Sequence, residues 1–583
     1  MKLWPLFSFC VIILFGCSSP KKPSIEDLNT PFELKENYSA TYEESIEYYK
    51  KLQDFFPKNI SIEEAGESDA GKPIYKVVLA EKLTSPKTKK DGSDKLVMLI
   101  NNAIHAGEPC GVDASMMLAR DILMDDEKRK LLEEITLVII PIYNVGGALR
   151  RNSTTRANQN GPAEYGFRGN AQNLDLNRDF IKMDSKNART FVRLFSDWMP
   201  DIFVDTHTSN GADYQYTLTL LPTFHEKLPK PLDDFLRLKM LPSLYKQVDE
   251  AGWLVCPYVM SYGTPDKGIL GFYDSPRYSS GYASLFNCLS FTTEAHMLKP
   301  FADRVNSTYT FLDELLKFSF ENKSEIKKAK AESEELLANQ QEFVLDWELD
   351  FSRFDSIPFK GYEAKYKTSE ITGKQRLYYD REAPFEKKIA YFNYYSPTVK
   401  VTKPKAYIIP QGLRRVVNRM KDNNVQFSQL KKDSLIDVEL YEVLSFETAK
   451  KPYEGHIPHS KVEVKSSKVK KQFYAGDYLV LTNQSNVRYI LETLDPQAKD
   501  AFFVWNFFDS FMQRKEYFSG YVFEDYAAQF LRENPAFQKE FEEKKDADTS
   551  FANSASKQLM FIYENSPLAE GTNNVYPIGR ILN

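Results

Sequence analysis

At 583 residues the chain is too long for one hydrophobic core, and two to four domains are expected. With 42% hydrophobic residues and abundant Tyr and Phe, the composition is that of a folded globular protein. A net charge of −5 with no sustained basic face excludes nucleic acid as a general partner, and the Lys-rich stretch from Lys461 to Lys471 reads as a solvated strand or loop.

The N-terminus has the form of an export signal. Lys2 is followed by an apolar segment from Leu3 to Phe15, shorter than the roughly 20 residues a bilayer span needs. Leu14-Phe15-Gly16-Cys17 then resembles a bacterial lipobox, with a small residue before the cysteine. The expectation is a cell-envelope lipoprotein lipidated at Cys17, periplasmic or outer-membrane associated, with a lipid anchor as its membrane contact and 18–22 as a tether. An ordinary signal peptide or membrane anchor is the alternative. Cys110, Cys256 and Cys288 remain in the mature body. An odd number cannot all pair, so buried free thiols are expected, with one disulfide left open.

Beyond residue 40 a helical lead is expected over 40–56 and a strand over 74–79. The polar stretch 84–94 reads as a loop. Strand and helix then alternate: strand 95–102, helix 112–124, strand 135–142, helix 186–198, strand 202–205, helical material over 228–251, strand 286–293 and helix 302–318. Near-continuous apolar strands separated by helices imply an α/β fold: a mixed, mostly parallel sheet with helices on both faces. Residues 148–184 are rich in Arg, Asn and Gly and carry no period. So long an irregular loop inside a compact domain is usually functional. The resulting division is a signal and tether over 1–22, the α/β domain over 23–320, a linker helix over 321–345 and a C-terminal accessory α+β region over 346–583.

The stretch Asn101-Asn-Ala-Ile-His-Ala-Gly-Glu-Pro-Cys-Gly111 links the first apolar strand of this alternation to its helix. His105 and Glu108, separated by two small residues in a tight loop, can reach one metal ion, because imidazole nitrogen and carboxylate oxygen both bind zinc at about 2.0–2.2 Å. His207 ends a second apolar strand. Two close ligands and one distant ligand leave a fourth position for water, the pattern of a catalytic zinc. Glu294 follows Leu289-Ser-Phe-Thr-Thr293 and is the candidate general base, with His296 competing for that role. Ligands in open α/β sheets bind outside the carboxyl ends of the strands, and His105, Asn144, His207 and Glu294 all fall there. Asn177 and Arg178 in the long loop suit an anionic substrate, and Arg150 or Arg151 suits an oxyanion.

This ordered set is similar to the zinc carboxypeptidases of the carboxypeptidase A-like (funnelin) family over roughly residues 40–320. Its His-x-x-Glu matches His105-Ala-Gly-Glu108, and its distal zinc histidine matches His207. Its Asp-x-Asn-Arg motif matches Asp175-Leu-Asn177-Arg178, and its base matches Glu294. Its Asn-Pro-Asp-Gly turn looks like Asn144-Val-Gly-Gly147, with two substitutions. The resemblance implies one Zn2+ held by His105, Glu108 and His207, and catalysis by Glu294 with Arg150 (or Arg151) on the oxyanion. It implies substrate binding by Asn177, Arg178 and a mobile tyrosine placed at Tyr273, with Asp175 orienting His105. Gly107 stands where many members carry an arginine. The implied activity is an exported metallocarboxypeptidase acting on a peptide or muropeptide. The alternatives are an amidase or deacylase acting on cell-wall peptides or small amides, and a non-catalytic binding lipoprotein.

Overall fold

The computed structural model describes Ser24, residues 26–83 and residues 94–582. The signal segment with Cys17, and nearly all of the polar loop expected over 84–94, lie outside the described residues.

An eight-stranded sheet forms the centre of the N-terminal part, in the order β1-β2-β4-β3-β5-β9-β6-β7. Its strands are β1 (Ile60–Glu67), β2 (Pro73–Leu79), β3 (Leu96–Asn101), β4 (Ile135–Ile140), β5 (Ile202–Ser209), β6 (Leu218–Pro222), β7 (Val255–Pro257) and β9 (Leu289–His296). A two-residue strand, β8 (Ile269–Leu270), lies outside this sheet. The middle four strands, β4-β3-β5-β9, are parallel, whereas β1-β2, β2-β4 and β6-β9 are antiparallel. Every residue of β3, β4 and β5 is buried, which is why these strands read as unbroken apolar runs.

Helices cover both faces. Helices Tyr42–Phe55, Cys110–Met124 and Phe301–Glu321 pack on one side, and Lys186–Trp198 on the other, its Phe191 and Phe195 meeting Phe203 of β5 at 5.7 and 6.1 Å between ring centroids. Helix Cys110–Met124 lies so close to β5 that a Cβ on Gly111 would stand 2.0 Å from Thr206 Oγ1. Cys110, Cys256 and Cys288 are buried and form no disulfide among the described residues.

The observed strands match the expected ones within a few residues, but β5 runs on through His207 and β9 through Glu294. The linker helix corresponds to Lys323–Asn339 and is no free spacer: Ile326, Ala329 and Leu337 are buried, and Lys330 Nζ meets Asp201 at 2.9 Å. Nor does 345/346 mark a break in packing. One hydrophobic core runs from Leu99 and Phe203 through Tyr407, Leu491 and Trp505.

The C-terminal region contributes a two-stranded sheet, β10 (Glu342–Leu349) with β13 (Tyr395–Thr402), a six-stranded sheet of β14 (Ala406–Ile409), β15 (Ser428–Gln429), β16 (Ser434–Thr448), β17 (His459–Phe473), β18 (Tyr478–Leu481) and β19 (Gly579–Ile581), and two long hairpins, the second of them within that sheet. One hairpin pairs β11 (Asp355–Thr368) with β12 (Gln375–Phe392), and β12 continues in parallel onto β8. The other pairs β16 with β17, so the Lys-rich stretch is an exposed strand. A buried ion pair, Lys227 Nζ to Glu492 Oε2 at 2.8 Å, crosses between the two parts. Removing one member of such a pair strands a buried charge, at about 3–5 kcal/mol. The aromatic stretch 500–508 forms turns, and its Phe502, Phe503 and Trp505 are buried in the shared core.

Asp113, on helix Cys110–Met124, is buried and accepts the Ala40 N–H at 3.1 Å, pinning the lead segment to the domain. Burial pushes its carboxyl up to about 7. Between about pH 4 and pH 7 the folded chain therefore holds a proton that the unfolded chain, with an aspartate near 3.9, has released. Stability falls as pH rises through that window. Asp113→Asn keeps the acceptor and cannot ionise, so its melting temperature should decline less steeply than the parent's between pH 5 and 7; parallel curves would refute the assignment.

Candidate metal and substrate site

The parallel strands end at one edge, and the register there sets the site. His207 of β5 pairs with Glu294 of β9, and Asn101 of β3 with Asp205 of β5. Side chains alternate along a strand, so Asp205 and His207 share a face. After β3 the chain turns through Ala103, held at a left-handed φ of 55°, and brings His105 and Glu108 beside His207. Asn144, just beyond β4, fixes this loop: its side chain donates to the Ile104 carbonyl at 3.2 Å and the Arg168 carbonyl at 2.9 Å, and accepts from Gly147 N–H at 2.8 Å.

His105, Glu108 and His207 are the one group of three or more potential metal ligands among the described residues, and all three are buried. His105 Nδ1 and His207 Nδ1 are 3.2 Å apart, and each lies 3.3 Å from Glu108 Oε2. Ligand atoms about 2.0–2.1 Å from a tetrahedral centre are separated by about 3.3–3.4 Å, so the triangle has the dimensions of a zinc site. The outer ring nitrogens agree. His105 Nε2 meets Asp175 Oδ1 at 2.9 Å, and His207 Nε2 meets Asp205 Oδ2 at 2.9 Å. Each carboxylate holds the proton on Nε2 and turns the Nδ1 lone pair inward. Asn101 Nδ2 donates to the other Asp205 oxygen at 3.0 Å. Burial works against charge on His207, yet Asp205 and Glu108 hold its imidazole well above the usual histidine range. The site calls for positive charge, and the donor set fits a zinc ion.

Glu108 is held from behind. Its Oε2 accepts the Thr208 N–H at 2.8 Å, and its Oε1 meets Arg156 Nη1 at 2.8 Å and Arg168 Nη1 at 3.5 Å. Gly107 now has a reason: a Cβ there would stand 2.7 Å from Arg156 Cδ and 2.9 Å from the Gly166 carbonyl oxygen. Arg156 fills the space a side chain at 107 would take.

The triad opens into a cavity of about 460 Å³, lined also by Glu294, Asn177, Arg178, Arg156, Arg168, Tyr258 and Tyr278. Burial, reinforced by the negative charge of Glu108 and opposed by His207, pushes the Glu294 carboxyl up to about 7. The rival base His296 faces elsewhere, its Nε2 on the Ala212 carbonyl at 2.8 Å and its Nδ1 accepting from Leu298 N–H. Asn177 Oδ1 accepts the Ser279 N–H at 3.0 Å, which fixes the amide and leaves its NH2 for a ligand. Arg178 lies under the Tyr278 ring at 4.4 Å.

Three candidates, Arg150, Arg151 and Tyr273, do not reach the cavity. Arg150 is exposed on the far side of its turn, its guanidinium 3.5 Å from the Ala171 carbonyl and 6.0 Å from the Phe167 ring. Arg151 is likewise committed elsewhere, to the carbonyls of Ser39 and Glu164. Besides Arg178, the cationic groups at the cavity are Arg156 and Arg168, which the aperiodic loop did not distinguish from its other arginines. Of the two, Arg156 spends its donors on Glu108, Thr208 and Gln159, whereas Arg168 is anchored through Nε and Nη2 on Asp175 (3.0 and 2.9 Å) and keeps 45% of its side chain exposed, with Nη1 on the cavity side at 3.5 Å from Glu108. Tyr273 is buried in an aromatic cluster with Phe224 (4.8 Å), Trp347 (5.8 Å) and Tyr395 (6.1 Å), and Tyr278 and Tyr258 stand at the cavity instead. A tyrosine directly before Ser279-Ser280-Gly281 was the available signal.

Among known proteins, residues 45–199 match the model of the zinc carboxypeptidase family (Peptidase_M14). The chain is 24% identical over 436 residues to carboxypeptidase 2 of Trichophyton tonsurans, covering 71% of this chain and 74% of that protein. It is 23% identical over 438 residues to carboxypeptidase 2 of Trichophyton rubrum, covering 72% and 75%. Solved structures that it resembles include a metallo-carboxypeptidase from Burkholderia cenocepacia (TM-score 0.36, 18% identity, 48% of this chain and 69% of that one) and the carboxypeptidase A of Helicoverpa armigera (TM-score 0.37, 15% identity, 51% and 75%). The ligand triangle thus stands in a chain whose residues 45–199, which include His105 and Glu108, match the zinc carboxypeptidase family model, with His207 just beyond the matched span.

Proposed function

We propose that the protein is an exported zinc metallocarboxypeptidase that removes C-terminal residues from peptides. The observation that carries this reading is the pairing of a zinc-sized ligand triangle with the Asn177 amide and Arg178 guanidinium in one cavity. Zinc held by His105, Glu108 and His207 would polarise the scissile carbonyl and lower the pKa of a water molecule.

The remaining steps belong to the chain's own groups. Glu294, near neutrality because it is buried, accepts a proton from the attacking water and passes it to the leaving amine. Arg168 donates to the carbonyl oxygen as negative charge gathers there. Asn177 Nδ2 and Arg178 grip the terminal carboxylate and fix which bond lies over the base. Tyr278, beside Arg178, closes the same side.

The carboxylate grip favours a carboxypeptidase over a deacylase of small amides that carry no carboxylate. It also accepts the terminus of a muropeptide, a source that fits an envelope address. Leu14-Phe15-Gly16-Cys17 supports that address, with lipidation at Cys17.

His207→Ala should lose bound zinc, near one equivalent in the parent, while Glu294→Gln should keep zinc and lose turnover by about 10²–10⁴-fold. Turnover persisting in Glu294→Gln would remove Glu294 as the base. A peptide with a free C-terminus should be cleaved far faster than its amidated form, and equal rates would exclude carboxypeptidase action. Cys17→Ser should abolish metabolic incorporation of palmitate, and label retained in that variant would exclude the lipid anchor.

A further inference from the structure

The turn between β16 and β17, residues 449–458, is largely exposed on its outer side, with Tyr453 36% exposed, but its inner side lies against the loop that lines the cavity. It folds back onto the metal and substrate site. Tyr453 Oη accepts the Arg178 Nε–H at 3.1 Å, and Glu454 Oε2 accepts the Asp175 N–H at 2.7 Å. His456 Nε2 meets Asp184 Oδ2 at 2.7 Å. The last part of the loop, from Asp175 to Asp184, is therefore clasped by the C-terminal region.

Tyr453 is itself held. Its ring stacks on Trp505 (6.2 Å, 20° between planes), and the Arg277 guanidinium lies 5.8 Å from the Tyr453 ring and 5.0 Å from the Trp505 ring. Arg277 is fixed in turn by Asp500 at 2.7 Å. A backbone pair between Tyr453 and His456 closes the turn, and Asn506 Nδ2 donates to the Ile457 carbonyl at 2.9 Å. The hydroxyl is thus delivered by a braced turn.

Its effect on Arg178 follows from the geometry of the guanidinium. The group has five N–H donors in one plane. Tyr453 takes Nε–H, and the Asn177 carbonyl takes one donor of Nη1 at 2.9 Å. Among the described residues no protein acceptor takes Nη2. With Nε and one side of Nη1 fixed, the plane can no longer rotate, and the terminal nitrogens are left for a carboxylate, which prefers two parallel N–H donors. Without Tyr453 the Nε side would be free to swing, and ordering it would be paid at each binding event.

We propose that Tyr453 is a positioning residue for the substrate carboxylate, so that the C-terminal region completes the substrate site of the N-terminal domain. The inference rests on the carboxypeptidase reading, because it assigns Arg178 to the terminal carboxylate. Tyr453 touches Arg178 and not the reacting atoms, so its loss acts on binding and not on chemistry.

Tyr453→Phe removes one oxygen and keeps the stacked ring. The test compares the zinc-loaded parent and Tyr453→Phe on one peptide with a free C-terminus and on its amidated form, with zinc content and melting temperature measured alongside. The expected result is a KM for the free peptide raised about fivefold, the size of one hydrogen bond, with kcat within about twofold and the amidated peptide unaffected. A merely structural role would lower kcat and melting temperature and leave the ratio of free to amidated cleavage unchanged; that outcome overturns the inference. If the parent prefers the free peptide and Tyr453→Phe has the same KM, the role of Tyr453 fails while the carboxypeptidase reading stands. If the parent does not distinguish the two peptides, both fail.

Discussion

Three electron-rich atoms meet within 3.3 Å of one another in a buried place, and the rest of the site is arranged around that repulsion. Two ring nitrogens and a carboxylate oxygen would not stay together by themselves. They are held by partners on their far sides: Asp175 behind His105, Asp205 behind His207, and Arg156 with Thr208 N–H behind Glu108. Each partner is itself tied. Asp205 takes Asn101, and Asp175 takes Arg168 at 2.9 Å and the Asn177 N–H at 2.9 Å. Burial works against the Asp175 charge, and His105 and Arg168 keep its carboxyl below the usual carboxylate range. The candidate metal triangle and the Asn177-Arg178 pair therefore share one carboxylate, Asp175, and a disturbance at either end reaches the other.

The loop 148–184 shows how such a site is built without regular structure. Its backbone is satisfied from outside. Gly166 N–H donates to Ala106, Phe167 N–H to Gly147, and Asn170 takes two backbone N–H groups of its own turn while donating to Asp69. Farther on, Lys182 and Asp179 form a fully buried pair at 2.7 Å, and Asp179 also accepts from Ser185, whose side chain caps helix Lys186–Trp198. Asp184 Oδ2 stands 3.3 Å from the same ammonium, so the buried Lys182 charge is shared between two carboxylates. The segment is irregular but anchored, as a loop that presents Arg168, Asn177 and Arg178 to one point has to be.

These constraints explain what could be read from residues alone. His105, His207 and Glu294 were legible because each ends a near-continuous apolar run, and such runs fix both the strand and the edge of the sheet at which it stops. Asn177-Arg178 was legible as a motif. Arg150 was not separable from Arg156 and Arg168, because a loop with no period gives no rule for which side chain turns inward. The structural reason is a local one. Gly107 leaves a channel for Arg156, and Asn144 ties the backbone at Arg168 against the metal loop. Tyr273 and Tyr278 lie five positions apart in a segment of turns, where alternation says nothing about facing.

The largest gap between sequence and structure is the division of the chain. A change of composition after residue 345 suggested an accessory unit, yet the core is continuous across it, Lys227 pairs with Glu492, and β12 extends onto β8. The contact that bears most on function joins Arg178 to Tyr453, 275 residues apart. No local pattern carries such a pairing. It depends on β16 and β17 being long enough to span the shared core, which their 15 residues each provide, and on Trp505 and Arg277 bracing the turn where it arrives. A hairpin serving only as a solvent-facing appendage would have no need of a buried Trp505 or of the fully buried Asp500 that fixes Arg277. Those buried groups are concentrated where the turn meets Arg178, and that concentration makes the C-terminal region part of the site's architecture.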